Sequence, residues 1–83
     1  MVEIRNISLK SFINDILYKI CFADQYVIIK YDNDIIWDSN FKILYRAKEG
    51  SRNKRDDENI DWLYKRTVYG LETNEDTIIL YVE

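Results

Sequence analysis

The sequence predicts an α+β fold. An N-terminal amphipathic helix packs on a mostly antiparallel sheet of about four strands in two hairpins, with one or two short helices in the middle. Three observations carry this expectation. "SLKSFINDILYKIC" has an apolar stripe at helical spacing, and "QYVIIKYDNDIIWDS" and "RTVYGLETNEDTIILYV" each read strand–turn–strand. The 83 residues are 47% apolar and 14% aromatic, which suits one packed domain spanning 1–83 rather than a disordered chain.

The elements follow in chain order. "VEIRNI" alternates and reads as a short strand. Leu9, Phe12, Ile13, Ile16, Leu17, Ile20 and Cys21 then fall on one helical face, while Lys10, Asn14, Asp15 and Lys19 lie away from it. Ser8 is the N-cap, because its hydroxyl can accept from an otherwise unpaired amide of the first turn. The first hairpin turns at Asp32-Asn33-Asp34, residues that tolerate turn conformations. "NFKILYRAKEG" reads as a short helix capped by Asn40 and ended by Gly50, and "DDENIDWLYK" as a second helical turn or two. The last hairpin turns at Thr73 to Asp76. In its closing strand Ile78, Leu80 and Val82 share one face, and Thr77, Ile79 and Tyr81 the other.

Composition removes most familiar chemistries. The chain has no histidine, so the commonest general base and metal ligand are missing. Cys21 is the only cysteine, which excludes an internal disulfide and a thiolate zinc cage, and its place on the apolar stripe suits a buried small hydrophobe. Two glycines, Gly50 and Gly70, cannot make a phosphate-cradling loop. A calcium-loop reading from Asp32 fails, since its sixth position is not glycine and its twelfth is not glutamate. The expectation is a protein that is not an enzyme and uses no cofactor or metal. With no apolar run long enough to span a bilayer, the expected place is the cytoplasm.

Charge is uneven. Residues 46–55 carry +4 through Arg46, Lys48, Arg52, Lys54 and Arg55 against Glu49, while the rest of the chain carries −7 and the total is −3. Asp56, Asp57, Glu58, Asp61 and Trp62 follow directly. This mixed segment, together with Trp62, is the candidate partner-binding region; a plain solvated loop is the other reading of the same residues. A pI near 4.9 argues against a nucleic-acid partner. Seven tyrosines and two tryptophans fit either a binding surface or the strand propensity of a small sheet. Both alternation phases of "YVIIKY" and "IIWDS" are apolar, so a helix on one face leaves apolar residues on the other.

An opening "ISLKSFINDIL" helix, a "YVIIKYDNDIIWDS" hairpin, a variable middle and a closing "TVYGLETNEDTIILYVE" hairpin make a layout that resembles small phage and mobile-element accessory proteins of the anti-CRISPR, anti-defence type. The resemblance spans most of the chain and is one of pattern. Ile, Lys, Asn and Tyr supply 34 of the residues and Ala, Gly and Pro only 4, a bias that matches AT-rich genes of low-GC bacteria and their phages. The resemblance implies a non-enzymatic inhibitor of a host protein, a CRISPR-associated nuclease above all, acting in the host cytoplasm. The alternative is a self-associating accessory or regulatory protein, a homodimer burying its sheet edges and second apolar face, with or without nucleic-acid contacts.

Overall fold

A computed structural model describes the chain at residues 2–48 and 61–83, and its side chains at 3–46 and 62–83. Five strands form one sheet: β1 (Val2–Ser8), β2 (Tyr26–Tyr31), β3 (Asp34–Asn40), β4 (Thr67–Asn74) and β5 (Thr77–Val82). Their spatial order is β1-β4-β5-β2-β3. Helix α1 runs over residues 9–20, α2 over Phe41–Lys48 and α3 over Asp61–Tyr64. The α+β reading holds, and "VEIRNI" supplies a fifth strand paired antiparallel to β4.

Both hairpins form. Asp32 and Asn33 take φ of 52° and 73°, the pair of left-handed residues that a two-residue hairpin loop needs to match strand twist. The second loop is tighter than the expected Thr73 to Asp76, because β4 continues to Asn74 and Glu75 adopts φ 57°. The left-handed conformation there costs a non-glycine residue on the order of 1 kcal/mol. The two hairpins join side by side through a parallel β2–β5 pairing, with Val27 opposite Ile78 and Ile29 opposite Leu80. The Gln25 side-chain amide also donates to the Asp76 carbonyl, tying the start of β2 to the second loop.

One face of this sheet carries the core. Val27, Ile29, Val68, Ile78, Leu80 and Val82 are buried there against Leu9, Phe12, Ile13 and Leu17 of α1, with Phe41, Leu44, Leu63 and Tyr64 of the other helices. Ser8 caps α1 as expected: the Ser11 amide donates to its Oγ at 3.2 Å. The helix departs from plain α geometry over Ile13–Leu17, which is a π turn. That turn absorbs an extra residue and delays the helical phase. Ile20, expected on the buried stripe, is therefore 55% exposed, whereas Cys21 keeps its expected side and packs, half-buried, against the core.

Asn40 does not cap α2 through its side chain. Its Oδ1 is buried and meets no donor among the described residues, and the first amides of the helix donate to backbone instead, Phe41 to the Gln25 carbonyl and Lys42 to the Ala23 carbonyl. The 21–25 connection is thus bonded to the start of α2. The Tyr64 hydroxyl donates to the Leu44 carbonyl at 3.1 Å and holds α3 against α2. Gly50 and the acidic run 56–60 lie outside the described residues.

Candidate functional site

The C-terminal end of α1, the 21–25 connection and α2 enclose an open groove of about 400 Å³ lined by Tyr18, Cys21, Ala23, Phe41, Lys42, Tyr45 and Arg46. Two pairs of residues at helical i, i+4 spacing build one wall. Phe41 and Tyr45 face inward with ring centroids 5.7 Å apart, and Lys42 and Arg46 follow one position on. Tyr18 packs on this same aromatic surface, its ring centroid 5.3 Å from that of Tyr45. Tyr18 is 59% exposed and Phe22, beside the groove in sequence, is 75% exposed. Among the described residues no carboxylate lines this groove. Burial pushes the Cys21 thiol up to about 11, so it stays protonated at neutral pH and serves as apolar lining.

A second cluster lies where β2 ends and β4 begins. The Arg66 guanidinium sits 4.3 Å from the centre of the Tyr31 ring and 5.8 Å from that of Trp62. Both distances fall within the roughly 6 Å reach of cation–π attraction, with Tyr31 the nearer ring. Arg66 Nε is buried and meets no acceptor among the described residues. Its carbonyl accepts from the Leu9 amide at 2.8 Å, which fixes the backbone against the start of α1.

A third surface is the sheet face away from the helices. Across four adjacent strands the registers place Asp38, Ile28, Ile79 and Glu72 in one row. The carboxylate at each end accepts from a tyrosine, Asp38 from the Tyr26 hydroxyl and Glu72 from the Tyr81 hydroxyl, both at 2.6 Å. Each bond raises its tyrosine's pKa, because the neighbouring carboxylate opposes a phenolate. The sheet edges are protected. β1 and β3 both carry bulges, and they place Glu3 and Arg5, or Asp34 and Asp38, along the edge.

The residues expected to bind a partner divide accordingly. Arg46 lines the groove and Trp62, 46% exposed, belongs to the Arg66 stack, so the two do not share one site. Lys48 closes α2 and Asp61 opens α3, with their side chains outside the described residues. Arg52, Lys54, Arg55, Asp56, Asp57 and Glu58 lie wholly outside them. Tyr18, Lys42, Tyr31 and Arg66 complete the clusters without having been singled out. The i, i+4 repeat of Phe41 with Tyr45 and Lys42 with Arg46 was the available signal for the first.

The chain matches no known protein-family model, curated protein or solved structure. No group of three or more metal-ligating side chains occurs among the described residues, and none of their helices is long and apolar enough to cross a membrane.

Proposed function

We propose that this protein acts by stoichiometric binding to another protein, and that its partner is a host defence protein of the CRISPR-effector class. The groove supports the binding reading. It sets exposed Tyr18 and half-buried Tyr45 beside the exposed Lys42 and Arg46, over Phe41 of the core, and aromatic residues and arginine are enriched in binding hot spots. The Tyr31–Arg66–Trp62 stack has the same composition and offers a second anchor. The choice of a defence nuclease rests on the resemblance in layout.

The test titrates the purified chain into a guide-loaded type II effector and follows target cleavage. Inhibition should saturate at one chain per effector, independent of substrate turnover. Undiminished cleavage at a large molar excess, together with no binding by interferometry, would remove type II effectors as the partner, and the same result across the other effector types would remove the class. Self-association is a second reading, favoured by the Ile28–Ile79 pair on the sheet face that no described helix covers. Because bulged and charged edges oppose strand addition, such a dimer would meet face to face, and sedimentation equilibrium would detect it.

A further inference from the structure

We infer that the α1–α2 groove receives an acidic segment of a partner protein, one that carries a large apolar side chain beside its carboxylates. This rests on the protein-binding reading and names the chemistry of what is bound. The floor is aromatic and apolar, formed by Tyr18, Phe41, Tyr45 and Cys21, and its volume of about 400 Å³ admits a bulky side chain. Lys42 and Arg46 stand beside that floor, one helical turn apart and on one side of α2. A purely apolar occupant would cover both cations without neutralising them, which is costly. An occupant bringing carboxylates next to its anchor would satisfy the floor and the rim together.

Charge complementarity decides between acidic protein and nucleic acid. The chain as a whole is acidic at −3, yet no carboxylate lines the groove among the described residues. The two cations that line the groove among the described residues can neutralise at most two phosphates, whereas single-strand binders track the backbone with an extended basic channel. A short acidic peptide needs only the local pair.

The experiment selects a phage-displayed library of random linear peptides on the full chain and measures the enriched peptides by calorimetry. Enriched sequences should share two or more Asp or Glu near a Leu, Ile, Phe or Trp. Their affinity should fall about tenfold or more for the K42E/R46E double variant, and partly for K42A/R46A. Both positions are exposed, and a glutamate at 42 in the first turn of α2 suits the helix dipole while one at 46 in its last turn opposes it, so the two effects offset and the variants should melt near the parent temperature, with K42A/R46A as the control free of added charge. Absence of enrichment, enrichment without acidic residues, or equal binding to K42E/R46E would each overturn the inference. So would displacement of the peptides by an oligothymidine that binds the groove more tightly. If K42E/R46E still inhibits an effector while failing no peptide test, the groove inference falls and the proposed function stands. If acidic peptides select cleanly but no effector is inhibited, the groove inference stands and the defence partner falls.

Discussion

The two faces of the central strands are made of similar residues and serve different ends. On β5, Ile78, Leu80 and Val82 point into the helices and are buried, whereas Thr77, Ile79 and Tyr81 point the other way and are only half-buried. Hydrophobicity alone does not distinguish Ile79 from Ile78. What separates them is the layer above: α1, α2 and α3 all pack on one side, and among the described residues the other side carries tyrosine–carboxylate pairs in place of a second layer. One face therefore supplies stability, and the other supplies surface.

Truncation on the covered face should show the largest effect. Leu80→Ala leaves a cavity among Ile29, Val68 and the helices, and should cost about 3 kcal/mol in urea unfolding. For so short a chain that is a large part of the total. Ile79→Ala, one residue along, should cost about 1 kcal/mol, because the side chain is already partly hydrated. Equal losses would mean that the open face is covered in solution, and a matching dependence on protein concentration would point to a second copy doing so.

Much of this contrast was legible in the sequence, because strand alternation is a local signal. The stripe from Leu9 to Leu17 was readable for the same reason, as was Ser8 as its cap. Ile20 was misplaced because nothing in "INDIL" announces the π turn that shifts the helical phase after it. Asn40 was misassigned because carbonyls sixteen or more residues earlier satisfy α2's first amides, a long-range fact. The parallel joint between the hairpins is likewise set by tertiary packing. The site was readable only in part. Arg46 and Trp62 were visible as a cation and an aromatic in an unusual segment, but their separation into two clusters depends on where α1 and Tyr31 sit.

Alkaline pH should sharpen the comparison with a smaller effect. Cys21 lies on the helix side, Tyr26 and Tyr81 on the open side, and all three hold their protons more tightly in the folded chain. An acid whose pKa is raised by folding binds more protons in the native state, so stability falls as pH rises past its unfolded value. For Cys21 the loss runs from about 9 to about 11. The tyrosines add theirs above 10. The thermal midpoint should therefore be level up to pH 8 and decline beyond it. Cys21→Ala should remove the first part of that decline, and an unchanged slope would show that the thiol is hydrated.

The smallest effect belongs to the open face itself. Tyr81→Phe deletes the hydroxyl that donates to Glu72 and leaves the ring against Tyr69, 6.3 Å away between centroids. An exposed bond of this kind exchanges readily with water, so neutral-pH stability should change by only a few tenths of a kcal/mol. The variant should nonetheless lose the Tyr81 share of the decline above pH 10, since the titrating group is gone. A loss above about 1 kcal/mol at neutral pH would contradict an exposed Tyr81–Glu72 pair, because only a desolvated hydrogen bond to a charge is worth so much. The open face would then be an interface, and its tyrosines anchors within it.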